Sequence, residues 1–295
     1  MLQPTLENIN QLFEHAITTG PADTGGVWQI ENYREICGGD THAGYLLRSN
    51  DRGFFLKLNS RSHHHLFKAE IESLKAIENT HTIATCHPLC SGYCQSYSYL
   101  LLDELHLTSD GDWRLAGQQL AQMHKASTPG YYGFDAPSYC GFTFQPHNHC
   151  DNWAEFFATR RIGHQLSMFY GQGIESKQIS PYVEVIRARL AGHQPRAALV
   201  HGDLWQGNIG FHKDSPVIYD PACYYGDPET DLAMTELFGR LPEDFYRGYH
   251  QIAPIDQHYP ERRSIYQLYH LLNHANLFGG EYRTQAEQAL KRLAH

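Results

Sequence analysis

The sequence predicts an α+β chain of two lobes, a small β-rich N-lobe over residues 1–102 and a mainly helical C-lobe over residues 103–295. Three observations carry this. Residues 27–59 form short β-rich runs broken by Gly38-Gly39 and by Asn50-Asp51-Arg52-Gly53, a hairpin-turn signature. Beyond a boundary at 102–108, apolar residues recur at helical spacing almost to the C-terminus. At 295 residues the chain exceeds one average domain, and with no repeat, low-complexity tract or long linker the two textures belong to one unit.

In chain order, Leu6, Ile9, Leu12, Phe13 and Ile17 lie close to a 3.6-residue period and predict a helix over 4–19. Three strands follow within 27–59. The stretch LFKAEIESLKAI, residues 66–77, has helical spacing and should pack on that sheet, and YSYLLLDEL at 97–105 reads as a buried strand. Helices are then expected near 111–126, 151–170, 181–192, 229–239, 256–277 and 281–294. A β-hairpin interrupts them, because Ile209-Gly210-Phe211 and Val217-Ile218-Tyr219 flank the turn HKDS. A sheet lobe followed by a helical lobe leaves a cleft, a usual place for a ligand.

Bulk composition narrows the function. The opening MLQPTLENINQLFEHAI carries Glu7 and Glu14 and lacks the basic and apolar regions of a signal peptide. No run of about 18 apolar residues exists to cross a bilayer, so a cytoplasmic protein without a membrane partner is expected. Seven cysteines, an odd number scattered through a long chain, fit free thiols in a reduced compartment. A formal charge of −9 argues against nucleic acid and suits a small cationic substrate, while twenty histidines make the charge sensitive to mild acid.

The chemistry lies in HGDLWQGN, residues 201–208, and the nearby PVIYDPACYYGD, residues 216–227. Asp203 and Asn208 sit five apart, and a short hairpin leads to Asp220, so three oxygen-bearing groups converge on one mouth. That is the layout of phosphoryl transfer by a bilobal protein-kinase-like fold: Asp203 as the base, Asn208 and Asp220 on the Mg²⁺ that bridges the ATP phosphates. The scheme also requires a strand Lys paired with a helix Glu, and Lys57 in FFLKLN and Glu70 in FKAEIESL supply them in order. A glycine loop must let main chain approach the phosphates, which Gly38, Gly39 and Gly44 in CGGDTHAG answer without forming a full G-x-G-x-x-G. Adenine is expected on main-chain groups of Asp103, Glu104 and Leu105. Each piece alone has a bland alternative, a surface turn or a solvated lysine. Six in the expected order on the expected elements do not.

Taken together, HGDLWQGN, DPACYYGDPETDLAM and YQLYHLLNHANLFGG resemble the fructosamine kinase (ketosamine-3-kinase) family, relatives of aminoglycoside and choline kinases. The similarity runs nearly end to end, through KLN at 57–59 and RIGHQL at 161–166. It implies ATP-dependent phosphorylation of the sugar 3-hydroxyl of a ketosamine, free or protein-bound, and elimination of the phosphate to return the amine. By motif match Asp203 is the base, Asn208 and Asp220 hold magnesium, and Asp231 braces the catalytic loop. His42 stands where many relatives carry Asn, and DPA replaces the kinase DFG.

Only residues 221–228 separate Asp220 from the helix expected at Glu229, too few for a peptide-docking activation segment, so a small molecule or exposed modified side chain is the expected acceptor. Trp205, Tyr224 and Tyr225 either flank the sugar or pack the loop. Cys86, Cys90 and Cys94 with His87 depart from zinc-site spacing and read as ordinary thiols. His63-His64-His65 reads as a solvated loop, and His147, His149 and Cys150 as a substrate-side loop. Cys37, adjoining Gly38, is either a redox-sensitive thiol of the phosphate loop or an inert one. The alternatives are another small-molecule kinase of aminoglycoside or choline type, or a non-catalytic nucleotide-binding protein. Monomer and homodimer both stay open.

Overall fold

The structure, a computed structural model, describes residues 4–19, 30–36, 41–49, 52–171 and 176–293. Cys37, Gly38, Gly39 and the turn residues Asn50 and Asp51 lie outside the described residues. The N-terminal part is a five-stranded antiparallel sheet in the order β1-β2-β3-β6-β5. Its strands are β1 (Asn32–Ile36), β2 (Ala43–Ser49), β3 (Arg52–Ser60), β5 (Pro88–Cys94) and β6 (Tyr97–Asp103), while β4 (Ala84–Thr85) stands apart.

Alternation decides what each face covers, because successive strand side chains point to opposite sides. Tyr99 and Leu101 of β6, with Phe54, Leu56 and Leu58 of β3, pack on Ile9, Leu12, Phe13 and Ala16 of α1 (Leu6–Thr19). Leu100 and Leu102, one residue out of phase, pack on Phe67 and Leu74 of α2 (His64–Glu78). The sheet is thus buried on both faces between two helices, which is why YSYLLLD is almost wholly apolar rather than alternating.

The rest is mainly helical: α3 (Trp113–Ala126), α4 (Trp153–Glu155), α5 (His164–Tyr170), α6 (Ser176–Leu190), α7 (Glu229–Thr235), α8 (Glu243–Ile252), α9 (Tyr259–Phe278) and α10 (Gly280–Leu293). The helix expected over 151–170 is present with a difference: Phe156–Gly163 between α4 and α5 is wound as a π-helix. A helix sequence analysis did not predict, α8, crosses α3 at two glycines. A Cβ on Gly117 would overlap the Phe245 carbonyl, and one on Gly248 the Arg114 carbonyl, so the backbones touch where neither residue has a side chain.

Two hairpins and one further strand pair organise the site. The β7 (Ser138–Cys140) and β8 (Thr143–Gln145) hairpin was not predicted, whereas that of β10 (Ile209–His212) and β11 (Ser215–Ile218) was. Lys213 and Asp214 turn it with φ of 49° and 65°, the mirror-image turn that suits strand twist. The last pair is β9 (Ala198–Val200) with β12 (Tyr224–Gly226). β4 then pairs in parallel with β11, and Thr85 Oγ1 donates to the Ile218 carbonyl at 2.6 Å, tying the first part of the chain to the second.

Candidate active site

A cleft of about 900 Å³ runs between the sheet and the helical part. Lys57 enters it because β3 turns Phe54, Leu56 and Leu58 to α1 and leaves Phe55 and Lys57 on the opposite face. Lys57 is 6% exposed, and its Nζ lies 2.5 Å from Glu70 Oε1 on α2 and 2.5 Å from Asp220 Oδ1. Burial alone would push the ammonium down, but Asp220 and Glu70 outweigh it and hold Lys57 above its ordinary value. Gly44 pairs directly with Lys57 across the sheet, and a Cβ there would reach the Phe55 ring at 3.0 Å. His42, at the same wall, is held by Asn59 Nδ2 at 2.8 Å and kept neutral chiefly by burial, its pKa lowered to about 3.

The opposite wall is built from the turn after β9. Gly202 adopts φ +81°, and a Cβ there would overlap the Ala222 carbonyl, so only glycine fits between His201 and Asp203. Asp231, in the first turn of α7, accepts from the His201 amide at 2.7 Å and the Gly202 amide at 2.9 Å. His124 of α3 adds a third contact to it at 3.0 Å. Burial of Asp231 is outweighed by these partners, which hold its carboxyl below the ordinary range. His201 accepts from the Asp203 amide through Nδ1 at 3.3 Å and meets the Tyr219 carbonyl through Nε2 at 2.9 Å, so it links the two loops as a neutral ring. Neither histidine stands out in the sequence pattern, although His201 is the His of the HGD motif itself.

Asn208 is 6% exposed and donates through Nδ2 to the Asp203 carbonyl at 2.8 Å, which aims its Oδ1 away from that bond. Asp220 follows β11 with φ +57°, a left-handed conformation uncommon outside glycine that turns its carboxylate into the cleft. Its partial desolvation is outweighed by Lys57, which holds it below the usual carboxylate range. Asn208 Oδ1 and the Asp220 carboxylate are hard oxygen donors lining one cleft, the kind of ligand a small divalent cation takes.

Asp203 differs. Its side chain is 22% exposed, its Oδ1 is buried without a hydrogen-bond partner, and burial together with Asp220 and Asp231 pushes its pKa up to about 7. A base poised there can take a proton from an alcohol at neutral pH. The cleft beside it is lined by Trp205, Cys140, Gly141, Asn273, His274 and Phe278. Trp205 is 37% exposed with its ring on that wall. Tyr224 is not there: it is 1% exposed in the core, with the Arg161 guanidinium over its ring at 4.1 Å. Tyr225 also lies off the cleft lining, against Tyr131 and Phe134.

Asp103, Glu104 and Leu105 edge the other end of the cleft. The Asp103 amide bonds the His87 carbonyl and the Glu104 amide the Gly53 carbonyl, while the Leu105 amide has no partner among the described residues. Arg52 and Arg48 pin the Asp103 and Glu104 side chains. Cys86, His87, Cys90 and Cys94 do not converge on a common point. His63 bonds Ser60 and Asn59 at the start of α2, and His147, His149 and Cys150 stand outside the cleft lining, His149 stacked on Tyr131 at 3.7 Å.

The fructosamine kinase family profile matches residues 13–295, nearly the whole chain. This chain belongs to the fructosamine kinase family. It is 42% identical over 271 residues to a probable ketoamine kinase of Synechocystis, covering 91% of this chain and 92% of the relative. A solved structure of a fructosamine-3-kinase candidate from Haemophilus somnus superposes with a TM-score of 0.88 at 29% identity, covering 97% of each chain. A spectinomycin phosphotransferase solved with ADP and spectinomycin shares the fold, with a TM-score of 0.59 at 14% identity over 99% of this chain and 94% of that one. The fold is therefore protein-kinase-like, and the chain is a phosphotransferase with an alcohol group as acceptor, a kinase of ketoamine type. Among the described residues no helix is long and apolar enough to cross a membrane.

Proposed function

We propose that this kinase transfers the γ-phosphoryl of ATP to the sugar 3-hydroxyl of a ketosamine, the rearranged adduct of a sugar with an amine. The observation that carries it is the convergence of Lys57, Glu70 and Asp220 at 2.5 Å on the floor of the cleft that also holds Asp203. Asp203 takes the hydroxyl proton. Lys57, oriented by Glu70, holds the phosphates, and the adenine edge bonds the Leu105 amide. Asn208 and Asp220 fit Mg²⁺, which when bound neutralises charge on the transferring phosphoryl. The relative solved with ADP supports nucleotide in this cleft.

Trp205 offers a flat apolar face beside Asp203 for the sugar ring. A phosphate on the carbon beside the ketone leaves after enolisation, and hydrolysis of the resulting imine frees the amine, so the reaction undoes glycation and serves repair. Dependence on ATP sets the activity in the cytoplasm. Family membership favours ketosamines over aminoglycosides or choline, and the intact set Lys57, Glu70, Asp203, Asn208 and Asp220 argues against a non-catalytic protein.

The test is ATP consumption with Mg²⁺ against ribulosamine, erythrulosamine and fructosamine adducts, with kanamycin and choline alongside. Consumption on a ketosamine, abolished in Asp203→Asn, is the expected result. Consumption on kanamycin or choline alone would overturn the acceptor assignment.

A further inference from the structure

Two groups of three metal-ligating side chains come together among the described residues. In one, His193, Asp227 and Glu229, the oxygens are already taken: Arg262 grips Glu229 with two bonds of 2.7 Å, and Tyr266 and His193 bond Asp227 Oδ2. In the other, Cys140 of β7, Asp203 of the catalytic turn and His270 of α9, the ligand atoms lie within 4.8 Å of one another. Here two of the three ligand atoms have no hydrogen-bond partner among the described residues, while Cys140 Sγ accepts from Asn273. Asp203 Oδ1 and His270 Nδ1 are both buried without a hydrogen-bond partner, 3.6 Å apart, and His270 is 4% exposed.

We propose that Cys140, Asp203 and His270 form a second metal site, for a softer divalent ion of the Zn²⁺ class, whose occupation withholds Asp203 from the reaction. The 3.6 Å between Asp203 Oδ1 and His270 Nδ1 suits it. Two N or O ligands on a tetrahedral zinc stand about 3.4 Å apart, given bonds of roughly 2.1 Å. One sulfur, one nitrogen and one oxygen select against Mg²⁺, which prefers oxygens in an octahedron, so the ion of the Asn208–Asp220 pair does not compete. A thiolate and a carboxylate neutralise a double positive charge, which removes the cost of burying it. On binding, the Cys140 thiol proton leaves to solvent and nothing is oxidised or reduced.

The surroundings support the ligands as an outer shell does. Asn273 Nδ2 lies 3.2 Å from Cys140 Sγ and 3.3 Å from its carbonyl, and Gln165 Nε2 fixes that amide by donating to Asn273 Oδ1 at 3.0 Å. Cys140, Asp203 and Asn273 line the cleft, which is the entry path and leaves a fourth position facing the acceptor. The inhibitory consequence rests on Asp203 being the base; the metal site does not.

The experiment is Co²⁺ titration of the full chain with Mg²⁺ in excess and no nucleotide. Wild type is expected to take one equivalent with tetrahedral d–d bands and a thiolate-to-cobalt charge-transfer band, the latter lost in Cys140→Ser and the tetrahedral bands lost in His270→Asn. A charge-transfer band undiminished in Cys140→Ser, or no stoichiometric binding by wild type, would overturn the site. X-ray absorption of the wild-type Zn²⁺ complex needs no variant: one sulfur among nitrogen and oxygen neighbours supports it, and a shell of several sulfurs or none refutes it. On whichever ketosamine wild type consumes, saturating Zn²⁺ should lower turnover by about 10², reversibly with a chelator, and the residual turnover of Cys140→Ser should not fall. Zinc-resistant turnover in wild type with cobalt held by Cys140 would refute the inhibitory role alone. If no ketosamine is consumed, the acceptor assignment fails and the cobalt spectrum still decides the site.

Discussion

Replacing Asp203 with Asn should cut turnover by orders of magnitude and make the protein more stable. In the folded chain burial, Asp220 and Asp231 raise the Asp203 pKa from 3.8 to about 7. At about 1.36 kcal/mol for each tenfold change, ionising it at neutral pH costs up to about 4 kcal/mol of folding free energy. Water reaches part of the side chain, which is 22% exposed, so about 2–4 kcal/mol is the expected magnitude. The sign follows from the raised value. The carboxyl is no burden below its unfolded pKa near 4, becomes one as pH rises, and reaches the full cost above about 7.

Asn carries no charge at any pH, so the variant escapes the cost. Melting followed by circular dichroism, with EDTA present, should place Asp203→Asn roughly 5–10 °C above wild type at pH 8. At pH 5 the free-energy gain should shrink to less than half. Turnover should fall by about 10²–10⁴. An unchanged melting temperature, or the same gain at both pH values, would refute the view that Asp203 is held as a strained, high-pKa base.

Three further outcomes are expected. Lys57→Met removes the cation between Glu70 and Asp220 and should cut kcat/KM for ATP by about 10² or more, read in the same ATP-consumption assay, with the substrate-free fold intact by circular dichroism. Gly202→Ala forces a side chain into φ +81° against the Ala222 carbonyl; about 2–5 kcal/mol of lost stability by urea unfolding is expected from the conformation and the overlap together. Trp205→Ala should raise KM for the ketosamine about two- to tenfold, from roughly 0.5–1.5 kcal/mol of ring contact, and leave KM for ATP unchanged.

What was legible in the sequence was whatever local chemistry forces. Lys57 sits in a strand whose alternation is visible in FFLKLN, and Glu70 in a helix whose period is visible in FKAEIESLKAI. The hairpin carrying Asp220 was legible because its turn is short and polar. Tyr224 was not: on a three-residue strand either face is open to it, and the inward choice is made by Arg161, brought from a π-helix more than sixty residues earlier in the chain. Helix α8 escaped for a related reason. Gly248 inside EDFYRGYHQI weakens the local case for a helix, yet it is required there by the carbonyl of Arg114 on α3. Cys140 and His270 carry no spacing signal because β7, the turn at Gly202 and α9 meet only in three dimensions.

The parallel pairing of β4 with β11 bears on how the enzyme can move. The chain passes from sheet to helices once, through Asp103–Leu105, and a single covalent link of that kind would permit twist, tilt and swing alike. Residues 84–85 add a second anchorage, two residues short of Asp220, secured by Thr85 on the Ile218 carbonyl. Ser73 of α2 adds another tie, its Oγ accepting from the Cys223 amide at 3.3 Å. Both ties flank Asp220 in sequence, so a displacement of the sheet and α2 against the helical part would carry that carboxylate with it.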